Sequence, residues 1–202
     1  MRQSNFERAR TYALGRLERE LPAALTYHSL AHTRDDVAPA TLRLAAIAGV
    51  SGGQRMLLHT AAYYHDIGFV IQRADHEAIG AQVAAEVLPS FGYTAPQIEI
   101  IHGLIMATKL PQSPRTLLEQ LMADADLDAL GRTDFLTRNQ ALRDELTAYG
   151  ARWDDLEWYH EQLDFLSSHQ YWTDAAQQVR GAQKQRNMET IRELIEGCRM
   201  RV

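Results

Sequence analysis

The sequence AAYYHDIGF, residues 61–69, places His65 beside Asp66 where an apolar run meets a glycine. Imidazole and carboxylate groups are good ligands for divalent transition metals, and helical bundles commonly hold such ions between inward-facing side chains. Other histidines and aspartates lie far away along the chain, but a bundle could bring them to the same ion. The candidate ligands are His28, His32, His65, Asp66, His76, His102, Asp124 and Asp126.

Helical spacing decides which of these residues can act together. His28 and His32 are four residues apart, so they share one face if this segment is helical. The side chains of His65 and Asp66 diverge by about 100° on an ideal helix. Both can reach one ion only near a helix end, and Gly68 favours such an ending.

The segment DAD offers two further carboxylates, Asp124 and Asp126. They point to nearly opposite sides of a helix, and apolar neighbours flank both. Periodicity therefore leaves open which of the two binds a metal. An isolated histidine on an apolar face more often serves packing than metal binding, so the hypothesis depends on the whole set.

The elements that must position these residues are predicted to be helices. Apolar residues recur at helical spacing and strand-like alternation is nearly absent, so the predicted fold class is all-α. Ser4 is expected to cap a first helix that stops near Pro22, Pro39 to kink or interrupt the second helical region, and residues 51–53 to form a connector. Further helix starts are predicted at Asp75, Thr94, Ser113, Thr133 and Thr173.

Composition limits the class of protein. The 202 residues are 46% hydrophobic, which is enough to bury a substantial core. The net charge is −5 and no long basic run occurs, so nucleic acid is not expected as a partner. No stretch reaches the roughly 18 apolar residues that span a bilayer, so no membrane partner is expected. The single cysteine, Cys198, suits a reducing compartment, and the predicted localisation is cytoplasmic.

Three segments of the sequence resemble the HD-domain superfamily of metal-dependent phosphohydrolases. They are HTRDDV from His32, HDIG from His65, and DADLDALG from Asp124, in that order. The resemblance implies one HD-type helical domain over residues 1–202, with the metal-site core at about 22–132 and a C-terminal helical extension at about 133–202. It also implies a metal bound by His32, His65, Asp66 and one aspartate of DAD, with Asp126 favoured and Asp124 the alternative.

The same resemblance assigns roles to three other histidines. His76 and His102 match histidines with which some members bind a second ion, although they could instead contact the substrate. His28 matches a general acid of the cyclic-nucleotide phosphodiesterase branch, although YHS replaces the usual YHN here. The implied cofactor is one or two divalent transition-metal ions: Mn, Fe, Ni, Co or Zn, with Mg also open.

The resemblance implies that metal-activated water cleaves a phosphomonoester or phosphoanhydride of a small phosphorylated molecule, preferably a nucleotide. The expected catalytic residues are His28, Asp66 and Lys109, and the expected substrate-binding residues are Arg34, His76, His102 and Lys109. Arg34, Arg73 and Lys109 follow site segments closely and could neutralise phosphate. The segments IGFV and IIHGLI lack the signatures of alarmone and cyclic di-GMP hydrolases, respectively.

Two other functions remain open at this point. One is an HD-type diiron oxygenase, because some members use the same order of ligands to hold two irons. The other is a non-catalytic regulatory module that binds a ligand. The aromatic cluster in the extension is expected to cover the core, but it could instead stack on a substrate or form a homodimer contact. Its members are Trp153, Trp158, Tyr159, Phe165, Tyr171 and Trp172.

Overall fold

The computed structural model describes residues 4–200, which contain nine α-helices and no β-strand. The all-α prediction is therefore confirmed. The helices are α1 (Phe6–Glu20), α2 (Ala38–Ile47), α3 (Gly52–Tyr64), α4 (His76–Val87), α5 (Ala95–Met106), α6 (Leu117–Asp126), α7 (Phe135–Ala148), α8 (Asp155–Ser168) and α9 (Asp174–Arg199). A π-helical turn, His32–Val37, leads into α2, and short 3₁₀ turns cover Ile67–Val70, Leu88–Phe91 and Asp128–Gly131.

Helix α1 shows how sequence pattern becomes packing. Ala9, Ala13 and Leu17 recur every four residues and are buried, so one face of the helix lies against the bundle. The helix ends at Glu20, before Pro22, as predicted. The prediction that Ser4 caps it is wrong, because the side chain of the next residue, Asn5, accepts the hydrogen bond from the Arg8 amide at 3.0 Å.

Helix α3 lies at the centre of the first bundle and packs against α1, α2, α5 and α6. Leu58, Ala61 and Tyr64 have no exposed surface. Burying an aliphatic side chain such as Leu58 contributes about 1.5–3 kcal/mol. The hydroxyl of Tyr64 donates to the carbonyl of Ala9 at 3.0 Å, so α3 is also tied to α1 by a hydrogen bond. The helix that carries the HD pair is thus held firmly.

The helix around Pro39 is interrupted as predicted, and the interruption has the form of a π-helical turn. The amide of Ala38 donates to the carbonyl of Thr33, five residues earlier. Pro39, which has no amide hydrogen, occupies the first turn of α2, where none is needed. Such wider turns often occur at functional sites, and this one carries His32.

Two predicted helix starts are confirmed. Thr94 and Gln97 form a capping box at α5, with Pro96 in the first turn. Thr173 caps α9 by accepting from the amide of Ala176 at 3.2 Å. Short hydroxyl side chains were a reliable signal at both positions.

Two other predicted starts are misplaced, and at α4 the predicted start is right but the predicted cap is wrong. Helix α6 begins at Leu117 and not after Ser113, because Thr116 and Glu119 form a stronger capping box further along. Helix α3 begins at Gly52, inside the expected connector. Asp75 precedes α4 but does not cap it, because its backbone is left-handed (φ 53°) and its carboxylate faces Lys109.

Helix α7 follows the predicted start at Thr133 by two residues, with Asp134 at its cap position. Helices α8 and α9 then pack together around a second apolar cluster. Its buried members are Leu130, Phe135, Leu166, Met188, Ile191 and Ile195. Among the helices of residues 4–200, none has the length and apolar character needed to cross a bilayer.

Charged hydrogen bonds join this C-terminal part to the first bundle. The buried carboxylate of Asp128 accepts from Arg43 of α2 at 2.7 Å and from two nitrogens of Arg180 of α9, both at 2.8 Å. Burial of Asp128 makes these bonds stronger than surface ion pairs. The extension is therefore fixed against the first bundle at this point.

Two histidines far from the candidate ligands have lowered pKa values. Burial lowers the pKa of His59 to about 4, and the charge of Arg10 adds to the effect. Burial also lowers the pKa of His169 to about 4, with a contribution from Lys184. Both rings are neutral in the folded protein at pH values where the unfolded chain, with ordinary pKa values of 6.5, already binds protons. The free energy of unfolding must therefore fall as the pH falls from 6.5 towards 4.

We expect His59→Phe to reduce this acid sensitivity. Phenylalanine keeps the stacking on Phe6 (ring centroids 5.1 Å apart) and the edge-to-face contact with Tyr63 (5.0 Å) but binds no proton. Urea unfolding of wild type and variant at intervals from pH 6.5 to 4 should give a shallower fall in the free energy of unfolding for the variant. Parallel curves would show that His59 is not responsible.

Candidate metal centre

Four side chains from three distant segments meet where the π-helical turn, the end of α3 and the end of α6 come together. His65 Nε2 lies 3.2 Å from Asp66 Oδ2, and His32 Nε2 lies 3.8 Å from the same oxygen. Asp126 Oδ1 lies 3.4 Å from His32 Nε2 and 3.3 Å from His65 Nε2. His32, His65 and Asp66 are each at most 3% exposed. The structure thus brings together the four residues that the resemblance implies as ligands.

The way in which α3 ends explains how the adjacent residues His65 and Asp66 both reach the cluster. The α-helix stops at Tyr64, and Asp66 has left helical geometry (φ −100°, ψ 3°). A Cβ at Gly68 would overlap the carbonyl of His76, and one at Gly80 would lie 2.8 Å from the carbonyl of Tyr64. Glycines therefore allow α4 to approach the end of α3 closely. The expectation that Gly68 marks a helix ending is confirmed.

A backbone hydrogen bond sets the orientation of His65. Its Nδ1 lies 2.8 Å from the carbonyl oxygen of Ala62, so this nitrogen carries the proton and donates. When the ring is neutral, its lone pair is consequently on Nε2, which faces Asp66 and Asp126. This is the tautomer that a metal ligand requires. Without a metal, burial is outweighed by these carboxylates, which raise the pKa of His65 well above its ordinary value, so a bound cation would take the place of a proton on Nε2.

The donor atoms fit a divalent cation. His65 Nε2 and Asp66 Oδ2 are fully buried and have no hydrogen-bond partner among the described residues. Buried acceptors without partners are costly, and a cation would satisfy them. His32, His65 and Asp66 each place one ligand atom within 4.8 Å of the others. With Asp126, whose Oδ1 lies within 3.4 Å of both imidazoles, they form a set of donors that suits Mn, Fe, Co, Ni or Zn.

The pKa values follow from the close packing of these groups. Burial disfavours ionisation of Asp126, but His32 and His65 outweigh it and lower the pKa of Asp126 to about 2. Burial is likewise outweighed at Asp66, where His65 holds the pKa well below its ordinary value. Both carboxylates are therefore ionised near neutral pH, which is the form that binds cations.

Asp124 is turned away from this cluster. Its carboxylate accepts from the amides of Trp172 (2.8 Å) and Thr173 (2.9 Å) and from the Thr173 hydroxyl (2.7 Å). These bonds hold the start of α9. The two aspartates of the DAD segment thus have different surroundings, and only Asp126 faces the histidines.

The structure separates the two additional histidines. His76 Nε2 lies 3.5 Å from Asp66 Oδ1, whereas Asp66 Oδ2 faces His32 and His65. His102 is exposed on α5 and does not reach the cluster. The reason is that Ile101 and the apolar residues one turn further along fill the inner face of α5.

His28 has a partner that sequence reasoning missed. Its Nδ1 lies 2.6 Å from Glu145 Oε1, and Glu145 Oε2 accepts from the amides of Tyr27 (2.9 Å) and His28 (3.0 Å). The side chain of Glu145 is fully buried. Burial alone would lower the pKa of His28, but the hydrogen bond to Glu145 outweighs it and raises that pKa. His28 is thus stabilised as a protonated side chain.

A cavity of about 340 Å³ opens beside the cluster. Its inner end is lined by His28, Asp66, His76 and Asp126. At the rim, Lys109 Nζ lies 2.5 Å from the carboxylate of Asp75. Helices α7 and α8 supply the wall on the side of the extension. The cavity is large enough for a small organic molecule.

The basic residues near the site differ from those expected. Arg34 does not line the cavity, because it is half-exposed and pairs with its neighbour Asp35 at 2.8 Å. Arg73 lies over the exposed ring of Tyr149, outside the cavity. Arg138 of α7 lines the cavity, while also pairing with Asp36 at 2.6 Å. Proximity in sequence was therefore a poor guide.

Comparison with known families agrees with this geometry. The family model named HD domain matches residues 36–129, a segment that contains the HD pair and Asp126 and begins just after His32. The match identifies this segment as an HD domain, consistent with membership of the HD-domain superfamily. HD domains are typically metal-dependent hydrolases. No curated protein and no solved structure gives a significant match.

The two DAD aspartates provide a matched pair of variants. We expect Asp126→Asn to lose bound metal, because it removes a ligand charge. We expect Asp124→Asn to keep the metal but to lower the free energy of unfolding by about 1–3 kcal/mol, because it weakens the bonds to Thr173. Elemental analysis and urea unfolding of both variants measure these outcomes. Loss of metal in Asp124→Asn alone would reverse the assignment.

Proposed function

We propose that this protein is a metal-dependent phosphohydrolase that cleaves a phosphomonoester or phosphoanhydride of a small phosphorylated molecule, preferably a nucleotide. The observation that carries the proposal is the convergence of His32, His65, Asp66 and Asp126 beside a cavity that the two aspartates line. The HD-domain match supports the reaction class. The nucleotide rests only on the resemblance to the superfamily.

The proposed ligands are His32, His65, Asp66 and Asp126. A divalent ion held by them supplies Lewis acidity and lowers the pKa of water, which is the chemistry that hydrolysis of a phosphate ester needs. The imidazole donors favour Mn, Fe, Co, Ni or Zn over Mg. We propose one ion at this position. If a second ion binds, His76, which lies beside Asp66, is proposed as one of its ligands.

The charge of the cavity makes metal and substrate binding interdependent. Four carboxylates line it, against the two basic side chains Lys109 and Arg138 and the ring of His28, whose charge is matched by Glu145 behind it. Both cations already pair with carboxylates, at Asp75 and Asp36. An anionic substrate would be repelled until a cation neutralises part of the negative charge. Lys109, at the rim, is proposed to attract the phosphate and not to transfer a proton.

His28 is proposed as the proton donor to the leaving oxygen. Its Nδ1 is engaged by Glu145, so Nε2 remains available on a ring that lines the cavity. Glu145 orients the ring and favours its protonated form. A positioned general acid typically accelerates such a step by about 10²–10⁴-fold. Glu145 therefore acts through His28, as a positioning residue.

The other two functions receive less support. A diiron oxygenase needs a second set of ligands; His76 lies beside Asp66, but His102 is exposed elsewhere. A regulatory module that only binds ligand has no need for a buried His28–Glu145 pair at the cavity. Oxygen consumption by an iron-loaded protein would favour the oxygenase, and absence of both metal and turnover would favour the module.

The direct test is a screen for phosphate and pyrophosphate release from nucleotides and other phosphate esters, with Mn, Fe, Co, Ni, Zn or Mg added. Wild type should hydrolyse at least one compound, and Asp66→Ala should have no detectable activity and no bound metal. Circular dichroism should show that the variant keeps its helical fold. Undiminished hydrolysis by Asp66→Ala would contradict the assignment of the site.

The pair formed by His28 and Glu145 gives a pH signature. His28→Asn should retain metal and lose about 10²–10⁴-fold in kcat. Glu145→Gln should also retain metal, and its alkaline limb of kcat should move to lower pH, because the pKa of His28 falls without the carboxylate. An alkaline limb that does not move in Glu145→Gln would argue against His28 as the acid.

A further inference from the structure

Besides the groups at the metal site, the cavity has many apolar lining residues. Several come from α7 and α8, which lie outside the segment that matches the HD domain. Among the apolar lining residues are Leu110, Leu127, Leu130, Phe135, Leu142 and Phe165. Such a surface suits the organic part of a substrate better than a second phosphate, because Arg138, the cation that α7 contributes, already pairs with Asp36.

A chain of hydrogen bonds interrupts this apolar wall. The indole nitrogen of Trp158 donates to Asn139 Oδ1 at 2.8 Å, and Asn139 Nδ2 donates to Gln162 Oε1 at 2.5 Å. An indole N–H can only donate, so the oxygen of Asn139 must face it. Asn139 must therefore present its nitrogen to Gln162, and Gln162 must accept with Oε1. The Nε2 of Gln162 is left as the last group of this series of hydrogen bonds.

Gln162 is in a position to recognise a ligand. Its side chain lines the cavity, although the residue is only 9% exposed. The described residues provide no hydrogen-bond acceptor for its Nε2. Because Gln162 lines the cavity, an acceptor on a bound molecule could pair with this nitrogen. Trp158, which is 1% exposed, fixes the orientation of Asn139 and through it that of Gln162.

We propose that Gln162 determines substrate specificity by donating a hydrogen bond from Nε2 to a carbonyl oxygen or ring nitrogen on the organic group of the substrate. That group packs its apolar face against Phe135, Leu142 and Phe165. The inference rests on the proposed function and narrows its substrate class. The proposed substrates are phosphate esters of ring-containing groups that carry a hydrogen-bond acceptor. Inorganic polyphosphate and phosphorylated polyols are not expected to be substrates.

The test uses phosphonates, which bind without being hydrolysed. The 3- and 4-acetyl isomers of benzylphosphonate each have a partner of nearly equal size, the corresponding ethyl compound, which lacks the carbonyl. Calorimetry with the Mn²⁺-loaded protein gives the ratio of Kd values within each pair. We expect wild type to bind at least one acetyl compound about five- to tenfold more tightly than its ethyl partner, as a single hydrogen bond allows.

The variant Gln162→Met keeps the length of the side chain and removes its amide, so the ratio should fall to about one. Gln162→Glu keeps the acceptor for Asn139 and replaces the donor, so it should also abolish the preference. Any general effect of the new charge on phosphonate binding cancels in the ratio. The matched control is Gln140→Met, on the exposed side of α7, which should behave as wild type.

The outcomes separate the two proposals. No preference in wild type for either acetyl isomer, or a preference that survives in both Gln162 variants, would overturn the role of Gln162. Absence of phosphate release from every compound in the activity screen would overturn the proposed function and with it the substrate class. The two readouts are independent, because the phosphonates require no turnover.

Discussion

The structure depends on the convergence of buried electron-pair donors from three segments of the sequence. His65 Nε2 and Asp66 Oδ2 are buried and unsatisfied by the described residues, and Asp126 adds a carboxylate oxygen within 3.3 Å of the same imidazole. A fold can tolerate such an arrangement only if the surrounding helices hold it in place. The packed centre of α3 and the close approach of α4 at Gly68 provide that support.

The C-terminal extension contributes to the cavity both lining residues and hydrogen-bonding groups. It supplies Glu145 to His28 and the amide chain that ends at Gln162. It is held in turn by two carboxylates of the first bundle: Asp124 binds the start of α9, and Asp128 binds Arg180. Residues 133–200, which carry no recognisable motif, therefore contribute to the lining of the cavity and to the contacts of His28.

Local signals in the sequence predicted what depends on neighbouring residues. Periodicity indicated an all-α fold, hydroxyl residues marked the starts at Thr94 and Thr173, and Gly68 indicated the helix end at the HD pair. Helix starts were misplaced where two caps compete, as with Ser113 and Thr116, because a capping box gains from a residue three positions later.

What depends on tertiary packing could not be predicted in this way. The choice between Asp124 and Asp126 rests on how α6 is rotated against the histidines, and spacing within α6 does not fix that rotation. Glu145 lies 117 residues from His28, and no local pattern connects them. His102 is of a type that can bind a metal, but it lies on the outer face of α5, and the sequence alone did not show this.

The separation between His28 and Glu145 also has a consequence for biosynthesis. A ribosome adds Phe135, the first residue of α7, only nine positions after Asp126. The contact between His32 and Asp126 already spans 94 residues, and the contact between His28 and Glu145 spans 117. Contacts of such long sequence separation close late and slowly. Both arrangements are therefore expected to form only when most of the chain has been synthesised, and a chain that ended before α7 would contain all four clustered residues without the carboxylate that holds His28.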